Sequence, residues 1–153
     1  MNAKISTVLR DVVGPMFRRP KGLQVAALCH RPTKTGSKEV LLVTSRGTGR
    51  WILPKGWPMR GKSEAEAAVQ EAWEEAGVKA ANVQEDPIGS YAYDKVLGKG
   101  LPVPVETLVY AVEVEDLARD FPEADERTRK WVTPQEAADL VAEPQLSRLL
   151  KVF

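Results

Sequence analysis

Residues Gly56 to Val78 read GWPMRGKSEAEAAVQEAWEEAGV, a tight loop running into a carboxylate-rich helix. Ser63 and Glu66 stand three apart, the spacing of a capping box in which hydroxyl and carboxylate each satisfy an orphan backbone donor at a helix start. The helix is therefore predicted to begin near Glu64. Gly77 supplies the left-handed residue that commonly ends a helix, which places the stop near Ala76. At about 100° per residue, positions four apart lie on one face, so Glu71 stacks on Glu75. Glu74 lies one turn from Glu71 and beside Glu75. Ala65, Ala68, Ala72 and Ala76 form a stripe of small residues that lets the helix press against a sheet.

Clustered carboxylates repel one another unless a proton or cation offsets their charge, and a hard divalent ion with oxygen ligands is a common solution. The competing reading is a solvated acidic face. The flanking residues weaken that second reading. Aligned from its end, the stretch presents Gly56, Glu71, Ala72, Glu74, Glu75, Gly77 and Val78 at the positions of the pattern G-x5-E-x7-R-E-U-x-E-E-x-G-U, with U aliphatic. The chain thereby resembles the Nudix hydrolases. Lys62 stands in place of the first Glu and Gln70 in place of the Arg. In the family that Arg supports the catalytic carboxylates through ionic and hydrogen-bond contacts, and Gln70 keeps only the hydrogen-bonding capacity. SRGTGRWILPKGW upstream and ERTRKW downstream resemble the branch that hydrolyses diphosphoinositol polyphosphates and diadenosine polyphosphates. The similarity runs from about Gly22 to Leu140.

The resemblance implies an α/β/α sandwich with a mixed β-sheet. It also implies hydrolysis of a diphosphate bond with Mg²⁺ or Mn²⁺ as cofactor. Glu71 and Glu75 become the expected metal ligands, joined by a backbone carbonyl at Gly56, and Glu74 the expected base. Ligand and base roles are exchanged among members, so all three glutamates are candidate catalytic residues. Arg18, Lys21, Arg46, Arg50, Lys55, Tyr93 and Arg129 are the candidate substrate contacts. Arg19, Arg127 and Lys130 add to the cations expected at the rim, since a guanidinium fork suits phosphate oxygens. That many cations favours a long or dense phosphate ligand. Tyr91, Tyr93 and Trp57 offer faces for an adenine, which leaves the two substrate classes close. Trp51, Trp73 and Trp131 read as core, and Trp57 as a wall of the pocket. Two alternatives stay open: a Nudix-fold module that binds a phosphorylated ligand with weak or no turnover, favoured by Lys62 and Gln70, and a nucleoside triphosphate pyrophosphohydrolase.

The 153 residues, 43% of them hydrophobic, suffice for one domain with a sizeable core. We expect residues 1–21 to form an N-terminal arm or short helix and residues 22–153 the Nudix domain. A net charge of +1 provides no global field toward nucleic acid or a membrane, and no basic stripe with interleaved aromatics is present. The expected partner is a small phosphorylated molecule. The single cysteine, Cys29, lies in an apolar run and reads as buried filler in a reducing compartment. With no signal peptide and no apolar run long enough to cross a bilayer, a cytoplasmic location is expected.

Along the chain, Leu23 to Cys29 is almost wholly apolar and predicts a strand buried on both faces. A turn at 33–37 leads into Val40 to Thr44, with His30 at the hairpin's edge as a structural residue. Trp51 to Leu53 is a brief strand, Ile88 to Val96 and Val103 to Val114 are longer ones, and Pro102 and Pro104 are expected to delay the last. Residues 129–133 form a short strand leading into a helix capped by Thr133 and Glu136 with Pro134 between. Leu146 to Val152 is a final short helix.

Overall fold

A computed structural model describes residues 22–97 and 100–153. The expected arm at 1–21, with Arg18, Arg19 and Lys21, lies outside the described residues. Strands β1 (Gly22–Pro32), β2 (Lys38–Thr44), β3 (Trp51–Ile52) and β4 (Lys55–Gly56) precede helix α1 (Glu64–Ala76). Then come β5 (Val78–Val83), β6 (Gly89–Leu97), β7 (Leu101–Leu117), β8 (Arg129–Val132), α2 (Pro134–Leu140) and α3 (Pro144–Val152).

The sheet's main path runs β3-β2-β1-β7-β5, with β4 paired to β1, β6 to β7 and β8 to β2. β1 and β7 are parallel from Gly22↔Val105 to His30↔Glu113, and the other pairings are antiparallel, which makes the sheet mixed. The apolar run of β1 serves two cores at once because alternate residues point to opposite faces. Val25, Ala27 and Cys29 meet Ala65, Ala68, Ala72 and Ala76 of α1. Ala26 and Leu28 meet Ala137, Ala138, Leu146 and Leu150 of α2 and α3. The result is a helix layer on each face, an α/β/α sandwich, and the alanine stripe is fully buried against the sheet.

The helix ends follow local chemistry. Ser63 Oγ accepts from the Glu66 amide at 3.1 Å while Glu66 Oε1 accepts from the Ser63 amide at 2.7 Å. Thr133 and Glu136 repeat the arrangement ahead of α2. Gly77 closes α1 at φ 68°, and a Cβ there would lie 2.5 Å from Phe121 Cδ1. Glycine is needed both for the dihedral and for the space.

Three features differ from the expectation. β5 was not anticipated, because register shifts at Lys79/Ala80 and Ala80/Asn82 break the alternation that marks a strand. The two-residue β4 is too short to show a period. β7 starts at Leu101 and includes Pro102 and Pro104. These prolines precede the register with β1, so one side of the strand has no described partner and a missing N–H there leaves no ladder bond unmade.

Gly77→Ala is expected to destabilise the fold by at least about 1–2 kcal/mol, the cost of a left-handed non-glycine residue before any clash. Urea unfolding should show a lower midpoint at unchanged slope, and an unchanged midpoint would contradict the capping account.

Candidate active site

β4 lies across β1, with Val25↔Gly56 and Ala26↔Lys55 in register, and brings the loop before α1 over the helix's carboxylate face. The contact is close: a Cβ on Gly56 would fall 2.2 Å from the Glu71 carboxyl carbon. The carboxylate thus occupies the space that a side chain at position 56 would take. Glu75, one turn on, is buried. Its Oε1 accepts from the Lys55 amide at 3.3 Å, and its Oε2 lies 3.5 Å from the Arg127 guanidinium.

These two glutamates form one wall of a cavity of about 390 Å³. Arg46, Lys55, Lys95, Glu123, Arg127 and Trp57 contribute to the remainder. Burial, then the neighbouring charges of Glu75 and Glu74, pushes the Glu71 carboxyl up to about 8. Glu75 is also raised by burial, against the opposing pull of Arg127 and Lys55. Lys55 is lowered by burial, with Glu75 opposing. Charging this wall is therefore costly, chiefly because it is buried, and at Glu71 the neighbouring carboxylates add to that cost. Oxygen donors, a glycine cradle and unneutralised carboxylates together fit a hard divalent cation.

The other anticipated residues are distributed unevenly. Arg46 reaches the cavity and pairs with Glu126 at 2.8 Å and Glu123 at 3.9 Å. Tyr93 stands behind it, donating to Gln24 Oε1, with the Lys55 ammonium 5.1 Å from its ring centroid. Trp57, 44% exposed, lies over Gly22, where a Cβ would come within 2.8 Å of the indole.

Several placements correct the expectation. Glu74 does not line the cavity; its Oε2 accepts from Gln70 Nε2 at 2.7 Å. Accordingly, no group of three His, Cys, Asp or Glu side chains is preassembled as a metal cage among the described residues. Arg129 donates to the Ala76 carbonyl at 2.7 Å and stacks on Phe121, so it terminates α1. Arg50 bonds Thr48 in the exposed loop, and Lys130 lies over Trp51. Tyr91 is only 1% exposed and presents no face to a ligand. Lys62 and Gln70, the two departures from the signature, border a separate groove against β5.

Sequence reasoning missed Glu123. It lies in an acidic run, Asp120 to Glu126, that reads as a solvated loop. Its amide donates to the Glu74 carbonyl at 3.0 Å, which draws the β7–β8 loop onto the helix. Gln24 and Lys95 were not among the expected contacts, since nothing local shows which ends of β1 and β6 meet.

A family model described as NUDIX domain matches residues 21–153. The chain belongs to the Nudix family. It is 32% identical over 124 residues to Nudix hydrolase 13, mitochondrial, of Arabidopsis thaliana, covering 75% of this chain and 59% of that protein. To human diphosphoinositol polyphosphate phosphohydrolase 3-alpha it is 32% identical over 126 residues, covering 77% and 69%. The chain spans about 60% of the length of the Arabidopsis relatives it matches. Among solved structures, Caenorhabditis elegans Ap4A hydrolase superposes with a TM-score of 0.63 at 22% identity, covering 85% of this chain and 93% of that one. The NUDIX domain of Shewanella oneidensis NrtR, complexed with ADP ribose, gives 0.63 at 17%, covering 96% and 95%. At such identities these likenesses concern the fold. No described helix is long and apolar enough to cross a membrane.

The raised Glu71 pKa fixes a sign for the chelator-treated protein. The folded state keeps this proton up to about pH 8, whereas the unfolded chain releases it near 4.5. The group's contribution is thus fully present at low pH and is lost as pH rises through that window. Glu71→Gln is expected to remove this part of the decline in denaturation midpoints between pH 5 and 8; an identical decline in the variant would contradict the placement.

Proposed function

We propose that the chain is a divalent-cation-dependent hydrolase of diphosphate bonds in a densely phosphorylated small molecule. The carrying observation is the paired wall of Glu71 and Glu75 against the Gly56 backbone, facing a cavity that also holds Arg46, Lys55 and Lys95. Glu71, Glu75 and the Gly56 carbonyl would hold Mg²⁺ or Mn²⁺. When bound, such an ion neutralises phosphate charge and lowers the pKa of an attacking water. Lys55 and Lys95 draw phosphate oxygens to the wall, and Arg46 reaches in from the rim.

For the base, Glu74 remains the proposal from the signature, and it must leave Gln70 to reach the cavity. Glu123 is the rival, because that residue already lines the cavity. The two are separable by mutation. Loss of a general base costs about 10²–10⁴-fold in turnover, so whichever of Glu74→Gln and Glu123→Gln falls by that factor identifies the base.

A diphosphoinositol polyphosphate is the favoured substrate class, supported by SRGTGRW, by ERTRKW and by the human relative. Arg50, Arg129 and Lys130 stand away from the cavity, so the count of cations supports this choice less than the sequence suggests. Trp57 favours a second reading, a diadenosine polyphosphate with one adenine on the indole. The thiol of Cys29 is buried and its pKa pushed up to about 12 by that burial, which supports an inert residue.

Phosphate release from diphosphoinositol polyphosphate, diadenosine polyphosphate and nucleoside triphosphates, with and without Mg²⁺, tests the proposal. Cation-dependent turnover of the first, reduced at least ~10²-fold in Glu75→Gln, is expected. Arg46→Ala and added salt should both slow it, since exposed charges are screened. Turnover of none, with retained binding, would instead make the chain a ligand-binding module.

A further inference from the structure

The signature reserves an arginine for position 70, where this chain has Gln70, and among the described residues the Gln70 side chain is hydrogen-bonded to Glu74 alone. Glu75, the more deeply buried carboxylate of the wall, still needs a cationic partner, because a buried charge without one is strongly disfavoured. Arg127, from the β7–β8 loop, meets that need. Its side chain is 7% exposed, like that of Glu75, and its guanidinium has three engagements. NH2 lies 3.5 Å from Glu75 Oε2, Nε donates to Glu123 Oε1 at 2.7 Å, and NH1 donates to the Thr44 carbonyl at 2.9 Å.

The loop that carries Arg127 is itself stapled on both sides. Thr44 and Thr128 exchange a backbone bond of 3.0 Å and a side-chain bond of 2.9 Å. On the helix side, the Glu123 amide donates to the Glu74 carbonyl and the Ala118 amide to the Gly77 carbonyl at 2.8 Å. Two hydrogen bonds to protein groups thus fix the guanidinium in place, with its remaining nitrogen turned to the Glu75 carboxylate. We propose that Arg127 is a positioning residue that orients Glu75, supplying from the β7–β8 loop the guanidinium support absent at position 70. It rests on the hydrolase reading only for its kinetic consequence, since the contact with Glu75 exists without turnover.

Lysine keeps the charge but cannot reach Glu75, Glu123 and the Thr44 carbonyl together. Arg127→Lys is therefore the primary variant, with Arg127→Gln as the second. In Arg127→Lys, kcat on whichever substrate of the panel the wild-type protein cleaves fastest is expected to fall at least ~tenfold with KM within about twofold, the mark of an interaction that does not bind substrate. Independently of turnover, hydrogen exchange of the Lys55 amide, whose acceptor is Glu75 Oε1, should accelerate at least ~tenfold. The Ala27 amide, bonded to the Pro54 carbonyl at 2.9 Å, should stay protected. A raised KM at unchanged kcat would overturn the proposal in favour of a substrate contact. Acceleration at Lys55 and Ala27 alike would overturn it in favour of a general structural role. An inactive wild-type protein whose Lys55 amide responds as expected would refute the hydrolase reading and leave the positioning intact.

Discussion

Two carboxylates four residues apart, pressed into the seam between a helix and a two-residue strand, set the terms for this molecule. Burial raises the free energy of their charged forms, and each raises that of the other. The protein offsets Glu75 with the Lys55 amide and the Arg127 guanidinium, and leaves Glu71 against the bare backbone of Gly56 with no cationic partner among the described groups. A buried carboxylate pair placed in this way fits a divalent ion.

The remainder of the architecture holds the seam in place. Alanines on the inner face of α1 allow the helix to approach β1 closely, and the apolar run of β1 carries a core on each side. Gly77 and Arg129 end the helix beneath Phe121, and the β7–β8 loop passes back over that end to bring Glu123 and Arg127 to the cavity. Residues distant in sequence thus share one charge network, Arg46–Glu123–Arg127–Glu75, that runs from the rim to the floor. Substitutions within it should not act additively.

The parts legible in sequence are those governed by local rules. Ser63, Glu66 and Gly77 marked the limits of α1 because capping is a matter of three or four consecutive residues. Spacing stacked Glu71 on Glu75, and the resemblance carried by the signature implied the sandwich. What escaped depended on tertiary meeting points. Glu74 belongs to the same carboxylate cluster in sequence, yet Gln70 takes it from the cavity, a preference invisible until the rotamers are placed. Glu123 looked like one of several acids in a loop. Arg127 and Arg129, two residues apart, both meet the C-terminal end of α1, one at the Glu75 carboxylate and one at the terminal carbonyl of Ala76. Simple counts of cations could not separate them. β5 was hidden by irregular register, and β4 by its length.

The most direct test is an anomalous difference map from a crystal of the protein soaked in Mn²⁺. The account predicts a peak bounded by the Glu71 and Glu75 carboxylates and the Gly56 carbonyl, absent from crystals of the Glu71→Gln/Glu75→Gln variant. A peak confined to other acidic groups, or one that persists in the variant, would contradict it.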